Sequence, residues 1–192
     1  RSSATFNESE DINLRFNKKV DGIPYDGKYI FSEMGYNFLP SEISAAFALE
    51  QLKKLKNNIN TRVKNFNTIF NHLKKYEEFF VLPNEFKGLK TGWLAFPLII
   101  KSQKKILRKN LQIFLEKNGI QTRTIFTGNI LRQPIMKSQF YKKCKDATIN
   151  SDNVMKNGIL IGCHHGLNSK EIRYMLSKFD QFLIKYKLRA HK

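Results

Sequence analysis

The sequence predicts an α+β protein, in which one small sheet is packed by helices and a long helix comes first. Three observations predict it: apolar residues recur every three or four positions after Ser41, short segments rich in β-branched and aromatic residues follow, and helical patterns separate those segments. The predicted order is long helix, strand, helix, strand, short helix, strand, helix. This order favours a small sheet with helices on one side.

The leading helix is predicted from Ser41 to about Tyr76. Pro40 precedes it, and Ser41 is a suitable N-cap because its hydroxyl can accept from a free amide of the first turn. The predicted apolar face consists of Ile43, Ala46, Phe47, Leu49, Leu52, Leu55, Ile59, Val63, Phe66, Phe70 and Leu73. Small alanines near its start favour close packing, either within the chain or across a subunit interface. The sequence does not decide whether this helix is interrupted near Asn57-Asn58.

Later segments of the chain are predicted strands because they are short, apolar and rich in β-branched or aromatic residues. They are residues 93–100, 120–126 and 159–163, with 29–31 as a further short candidate. Pro97 indicates that part of the first segment lies at a sheet edge or in a bulge, because proline has no amide hydrogen to donate.

The predicted helices between and after these strands carry end signals. Ser102 is expected to cap the second helix, which would contain Ile106 and Leu107 and end before Gly119. A short helix is expected near residues 152–157. Asn168 begins a capping-box pattern for the last helix. The predicted buried stripe of that helix is Ile172, Met175, Leu176, Phe179, Phe182 and Leu183.

The composition indicates a globular and strongly basic chain. Its 192 residues are 41% apolar, and the formal net charge is +18. This charge has three explanations: biased composition, attraction of an anionic small substrate, or nucleic-acid binding. The last is disfavoured, because the lysine pairs are spread along helical stretches and form no arginine-rich stripe. We therefore expect no nucleic-acid partner.

Several classes of protein are not supported by any motif. There is no glycine-rich phosphate loop, no zinc-ligand spacing, and no apolar run of about 20 residues that could span a membrane. We expect no metal and no membrane. Two cysteines without paired spacing fit a reduced, cytoplasmic protein. Arg1 in place of an initiating Met fits a chain that starts inside a longer protein, or a processed one. His164-His165 could bind a metal or shuttle protons, but a plain turn is the simpler interpretation.

Three segments, in order, carry a family resemblance. They are residues 31–43 (FSEMGYNFLPSEI), 122–134 (TRTIFTGNILRQP) and 161–167 (IGCHHGL). The first, followed by an Ala-Ala pair and a Gln-Leu helix, resembles the DegT/StrS-type sugar aminotransferases and their dehydrase relatives. The other two resemble the 3-dehydrase branch, which includes CDP-4-keto-6-deoxyglucose 3-dehydrase. The resemblance covers roughly residues 25–185.

This resemblance implies the small C-terminal domain of a fold-type I enzyme, which is α/β by family. Residues 1–40 would be an arm from the end of the cofactor domain, and residues 41–192 the long helix plus the small domain. The implied cofactor is pyridoxal or pyridoxamine 5′-phosphate. The lysine that binds it, or the histidine that replaces it in 3-dehydrases, would lie upstream, so no catalytic residue is expected in this chain. The chain alone would be catalytically incomplete.

The resemblance also implies site residues. Asn37 would reach a neighbouring subunit and donate to the cofactor phosphate, with Tyr36 beside it. The residues expected to meet the nucleotide diphosphate or the sugar are Arg123, Phe126, Asn129, Arg132, Gln133 and His165. The alternatives are a simple turn role for Asn37, a surface role for Arg123 and Arg132, and a turn role for His165. Leu39 is a departure, because many relatives carry Arg or Lys there, and it puts substrate identity in doubt.

The implied activity is 3-dehydration of a nucleotide-linked 4-keto-6-deoxy sugar, in deoxysugar or lipopolysaccharide biosynthesis. The implied partners are the nucleotide sugar, a second copy in a homodimer with shared active sites, and a reductase if the enzyme is a 3-dehydrase. A nucleotide-sugar 4-aminotransferase is the first alternative. A non-catalytic remnant or split subunit, and a basic nucleic-acid-binding module, are the others.

Overall fold

The computed structural model describes residues 12–31, 34–36, 38, 40–101, 106–142 and 148–186. The chain divides into two units, residues 1–53 and 54–192. The boundary lies inside the long helix, whereas residue 40 is the predicted end of the arm. That predicted domain boundary stays a prediction.

The first unit contains a short helix and a hairpin. Its elements are α1 (Ile12–Phe16), β1 (Lys18–Val20), β2 (Ile23–Tyr25) and a 3₁₀ turn over Gly27–Tyr29. Asp21 and Gly22 link the two strands with φ values of 50° and 81°, as a two-residue hairpin turn requires. The strand predicted at residues 29–31 is wrong, because the Tyr29 amide donates to the Asp26 carbonyl at 2.9 Å and closes a turn instead.

The long helix α2 runs from Glu42 to Lys74 without interruption. The amide of Ala45 donates to the Ser41 carbonyl at 3.0 Å, so the helix begins where the sequence predicts. No break occurs near Asn57-Asn58. Asparagine is only a weak helix former, but the surrounding apolar spacing continues through it. In the second unit the helix buries Phe66, Ile69 and Leu73.

The second unit is built on a four-stranded antiparallel sheet in the order β3-β4-β6-β5. The strands are β3 (Phe80–Val81), β4 (Ala95–Ile100), β5 (Thr122–Arg123) and β6 (Gly158–Gly162). Strand β4 buries alternate residues, which places one of its faces on the core. Pro97 pairs with Leu160 of β6, and β3 covers β4 only at Ile99 and Ile100. Among the described residues, Pro97 therefore has a strand on one side only, as predicted for an edge position.

Among the described residues, this unit also contains the α-helices α3 (Arg108–Lys117), α4 (Ile149–Asn157) and α5 (Ser169–Lys185). Helix α3 begins later than predicted, because Leu107 has extended backbone angles and acts as the N-cap residue. Ile106 and Leu107 therefore precede the helix, and the predicted cap Ser102 lies outside the described residues. Gly119 ends α3 as predicted, with φ of 73° and its amide bonded to the Glu116 carbonyl.

Helix α5 matches the sequence prediction in both its start and its buried face. The Asn168 side chain accepts from the amides of Lys170 and Glu171, and Glu171 accepts from the Asn168 amide, which completes the capping box. All six residues of the predicted stripe are buried. The core joins them to β4, β6 and the end of α2, so the predicted α+β fold is confirmed. Within the described part of the chain, no helix has the length and apolar content to cross a membrane.

Candidate functional site

The loop after β5 carries most of the predicted substrate-binding residues. Strand β5 stops at Arg123, not at residue 126 as predicted, because the chain turns: the Gly128 amide donates to the Ile125 carbonyl at 3.0 Å. Phe126 adopts a positive φ of 45°, and its side chain is 89% exposed. Gly128 lies against Met155 of α4, where an added Cβ would approach the Met155 Cβ to 2.5 Å. Only glycine fits there, and the loop is held close to α4.

An ion-pair network fixes the second half of this loop. Arg132 binds both carboxylate oxygens of Asp152 on α4, with Nη2 at 2.5 Å from Oδ2. The buried Asn129 donates to Asp152 Oδ1 at 2.7 Å and accepts from the Leu131 amide at 3.0 Å. The hydrogen bonds from Arg132, and then from Asn129, hold the pKa of Asp152 well below its usual range. Asp152 is therefore ionised and neutralises Arg132.

Arg123 precedes the exposed Phe126 in the chain, and Gln133 follows it. Gln133 donates to the Thr127 carbonyl at 3.0 Å, which closes the loop on itself. Arg123 is exposed on β5, opposite Leu160 of β6. The amide and hydroxyl of Thr122 and then the charge of Arg123 lower the pKa of Glu116, the nearby carboxylate on α3.

A cavity of about 190 Å³ lies beside the first half of the loop. Its lining includes Phe126 and Gln133, two of the predicted residues. It also includes Arg108 at the start of α3, which no sequence pattern nominates. No motif marks Arg108, because it is 15 or more positions away from the loop that it adjoins. It also begins a helix whose buried face does not include it.

The turn after β6 places His165 beside the long helix. Arg62 Nε donates to His165 Nδ1 at 3.1 Å. An arginine N–H can only donate, so this ring nitrogen must carry a lone pair and the imidazole proton must be on Nε2. Nearby, the buried Asn65 donates to the carbonyls of His164 and Leu167 at 3.1 and 3.0 Å. No sequence motif marks Arg62 or Asn65, which lie about 100 positions before the turn.

The predicted substrate residues therefore fall into two groups. Arg123 pairs with Leu160, the middle residue of β6. The loop that follows Arg123 places Ile125 beside Gly158 at the start of β6, whereas His165 follows the end of that strand. The five residues of β6 span roughly 13 Å, since an antiparallel strand rises about 3.4 Å per residue. The structure places Phe126, Asn129, Arg132 and Gln133 in the loop after β5, with Arg123 as the last residue of that strand, and it places His165 at the other end of the sheet.

The predicted cofactor-binding residues lie in the first unit. Tyr36 is 86% exposed and stacks on Phe38, with ring centroids 5.6 Å apart. Asn37 and Leu39 lie outside the described residues. An exposed aromatic pair of this kind is available to contact another surface or a ligand.

These features define a mixed α+β domain in which a loop with four of the predicted substrate residues lies at one end of an antiparallel sheet. The model of the DegT/DnrJ/EryC1/StrS aminotransferase family matches residues 7–180. The chain belongs to this family.

The names of similar proteins include sugar 3-dehydratases and a sugar transaminase. The lipopolysaccharide biosynthesis protein RfbH of Salmonella typhimurium is 32% identical over 88% of this chain and 39% of its own length. The GDP-4-keto-6-deoxy-D-mannose 3-dehydratase of Escherichia coli O55:H7 is 32% identical over 85% of this chain and 42% of its own. A UDP-4-amino-4,6-dideoxy-N-acetyl-beta-L-altrosamine transaminase of Campylobacter jejuni is 25% identical over 81% and 40%.

Structural comparison agrees with the sequence comparison. The E. coli GDP-4-keto-6-deoxy-D-mannose-3-dehydratase with bound hydrated PLP superposes with a TM-score of 0.70 at 28% identity, over 91% of this chain and 41% of that chain. The chain thus spans about two fifths of the length of the relatives that it matches.

Proposed function

We propose that this chain is the C-terminal part of an enzyme that removes the 3-hydroxyl of a nucleotide-linked 4-keto-6-deoxy sugar, in deoxysugar or lipopolysaccharide biosynthesis. The observation that carries the proposal is the higher identity with the E. coli 3-dehydratase than with the C. jejuni transaminase. A nucleotide-sugar 4-aminotransferase remains the alternative, supported by the family to which both belong. The chain spans about two fifths of such relatives, so we assign no catalytic residue to it.

The proposed cofactor is pyridoxal or pyridoxamine 5′-phosphate, which supplies an electron sink to the sugar when bound. We assign Asn37 and Tyr36 to its phosphate end. The exposure of Tyr36 supports this role, because its ring is open to a ligand or to a second subunit. An amide side chain suits a phosphate oxygen, to which it can donate a hydrogen bond.

The proposed substrate contacts come from the two groups of loop residues. Arg123 offers a planar set of donors that fits phosphate or sugar oxygens, and Phe126 offers an exposed ring face. Asn129, Arg132 and Gln133 keep this loop in shape through their contacts with Asp152 and Thr127. His165 presents a neutral Nε2–H donor, because Arg62 occupies its other ring nitrogen.

The proposed assembly is a homodimer with shared active sites, and a reductase would take up the dehydrated product. Supporting the dimer, the first half of α2 exposes Ile43, Phe47, Leu49 and Leu52, all of them large and apolar. The buried free thiol of Cys163 fits a reducing compartment, so we place the enzyme in the cytoplasm.

Product analysis tests this proposal. The chain, joined to the polypeptide that supplies the rest of a family member's length, is incubated with pyridoxamine phosphate and GDP-4-keto-6-deoxymannose or CDP-4-keto-6-deoxyglucose. We expect a released sugar that has lost its 3-hydroxyl oxygen and retains no new nitrogen, with pyridoxamine phosphate converted to pyridoxal phosphate and ammonia released. An Asn37→Ala variant should lose cofactor, measured by absorbance after gel filtration.

Other outcomes select the alternatives. Transfer of an amino group to the sugar, without loss of water, would identify an aminotransferase. No reaction with any nucleotide sugar, together with stable association with a second polypeptide that carries its own cofactor, would identify a non-catalytic subunit. Binding to random DNA that weakens steeply with salt would support the nucleic-acid alternative.

A further inference from the structure

The cavity beside the loop of residues 124–128 is too small for a nucleotide sugar but large enough for part of one. A water occupies about 30 Å³ in the liquid, so a cavity of about 190 Å³ holds roughly six. Sites for whole drug-sized ligands occupy about 300 to 1,000 Å³. A group the size of one phosphate fits, and the rest of a larger ligand would extend past the rim.

The charge of this cavity is positive. Among the residues that the structure describes, its lining contains one ionisable side chain, Arg108, and no carboxylate. These lining residues are Arg108, Thr124, Ile125, Phe126, Thr127, Gly128, Gln133, Val154 and Met155. Asp152, which precedes Val154 by two positions on α4, is neutralised by Arg132. Ile125, Val154 and Met155 form an apolar wall, which strengthens an ion pair because the local dielectric is lower than in water.

The guanidinium of Arg108 lines this cavity and its N–H donors are available to a ligand. Within the described ranges, Arg108 makes no hydrogen bond or ion pair, although it is half-buried. Two polar neighbours are engaged elsewhere: the Thr124 hydroxyl donates to the Phe126 carbonyl at 3.1 Å, and the Gln133 amide donates to the Thr127 carbonyl at 3.0 Å. A guanidinium has five N–H donors in a fixed plane and matches phosphate oxygens in pairs.

The rim of the cavity supplies the second feature of a ligand site. Phe126 has a positive φ of 45°, and its ring is almost fully exposed at the cavity mouth. Backbone strain of this kind clusters at ligand sites. An exposed ring beside a cationic cavity suits a ligand that joins a flat base or sugar to a phosphate.

We propose that this cavity binds one phosphoryl group of a nucleoside diphosphate, with Arg108 as its cation and Phe126 packing against the adjoining base or sugar. The inference rests on the proposed function, and it assigns the diphosphate end of the substrate to a residue outside the predicted set. Arg132, which the resemblance suggests for the diphosphate or the sugar, is paired with Asp152.

Calorimetric titration of the 192-residue chain tests the inference. The probes are CDP, GDP, UDP and dTDP, each compared with its nucleoside and with inorganic pyrophosphate. We expect at least one diphosphate to bind more tightly than its nucleoside. Arg108→Gln should lower that affinity by about tenfold or more, as expected for loss of a charge-assisted bidentate contact.

Lys109→Gln is the matched control. Lys109 is the next residue, is exposed and does not line the cavity, so its loss removes one charge without touching the site. We expect its diphosphate affinity to stay within about twofold of wild type, since only the diffuse charge changes. Circular dichroism of both variants checks that each is folded, and Arg108→Lys, which keeps the charge, should recover part of the affinity.

Three results would overturn the inference. The first is an equal loss of affinity in Arg108→Gln and Lys109→Gln, which would indicate general charge attraction. The second is equal binding of nucleoside and diphosphate. The third is no binding of any diphosphate by the wild-type chain at about 10 mM, a concentration at which a specific charge-assisted contact would be detected.

These failures are separable from failure of the proposed function. If the complete enzyme dehydrates a nucleotide sugar and Arg108→Gln leaves its KM unchanged, the phosphoryl assignment is wrong and the function stands. If the chain binds a diphosphate through Arg108 but the complete enzyme acts on no nucleotide sugar, the site stands and the proposed reaction is wrong.

Discussion

Phe126 combines a strained backbone with an exposed ring, and this combination makes it a residue where stability and binding oppose each other. A non-glycine residue with positive φ costs on the order of 1 to 3 kcal/mol. Phe126→Gly relieves that strain, and the greater freedom of glycine in the unfolded chain offsets part of the gain. We expect the free energy of unfolding to rise by up to about 1 kcal/mol, measured by urea denaturation.

The same variant should bind nucleoside diphosphates more weakly, because the ring face is gone. A clear fall in stability in Phe126→Gly would contradict the strain argument. It would indicate that the ring is held by contacts that the described structure does not contain.

Tyr76 titrates in a way that reports on the contact between α2 and α5. Its hydroxyl donates to Asp180 Oδ1 at 2.8 Å, and His72 and Lys75 approach the same carboxylate. Burial, and then the bond to Asp180, raise the pKa of Tyr76 from 10.0 to about 12.

The raised pKa of Tyr76 therefore predicts that its contribution to the free energy of unfolding is lost at high pH. Below pH 10 the phenol keeps its proton in both states, so its contribution is fully present. Between pH 10 and about 12 the unfolded phenol ionises first, and the contribution is lost as pH rises. In urea denaturation, the stability difference between wild type and Tyr76→Phe should shrink across this range. The surface variant Tyr141→Phe should track wild type, and a constant difference for Tyr76→Phe would refute the assignment.

At the scale of elements, one amide side chain joins the long helix to the turn after β6. Asn65 is buried and satisfies the carbonyls of both His164 and Leu167. Asn65→Ala leaves these two acceptors without that partner, and we expect it to lower the free energy of unfolding by about 2 kcal/mol. The control Asn67→Ala, exposed on the same helix, should change it by less than about 0.5 kcal/mol. If Asn65→Ala and Asn67→Ala change the free energy of unfolding equally in urea denaturation, the two hydrogen bonds of Asn65 contribute nothing to stability.

Elements differ in how far the sequence predicts them. Helix α5 is predictable from its start through its buried face, because its cap and its stripe depend on residues within a few positions of each other. The sequence pattern makes strand β5 too long and starts α3 too early. In both cases the residue types favour a strand or a helix, but tertiary contacts make the chain change direction there. The close approach of Gly128 to Met155 is an example.

At the scale of the whole molecule, the first half of α2 presents apolar side chains that are exposed in the part of the chain that the structure describes. Phe47 is 67% exposed and Ile43 is 84% exposed. If the proposed homodimer covers this surface, Phe47→Asp should shift sedimentation at micromolar concentration from dimer to monomer, because a buried unpaired charge is strongly unfavourable. Asn57→Asp, an exposed change on the same helix, is the control. A monomeric wild type would contradict the dimer.

The loop after β5 carries four of the predicted substrate residues, and its own sequence is enough to recognise it. The partners that give those residues their roles cannot be recognised in the same way. Asp152, Arg62 and Arg108 carry no motif, and Arg62 lies 103 positions from His165, the residue it orients. Which arginine is neutralised and which is free depends on neighbours brought in by strand pairing. Charge pairing is a property of distance in space, and position along the chain does not specify it.

Amino-acid order alone is enough to predict the α+β class and the capping of α5, because periodicity and caps are encoded by residues that are close in the chain. The three motif segments carry the resemblance to the family. The folded arrangement is needed to divide the predicted site into two groups at opposite ends of β6, to pair Arg132 with Asp152 and to leave Arg108 beside a cavity. The physical reason is register: a sheet brings together residues far apart in sequence, and hydrogen-bond pairing sets which ones meet.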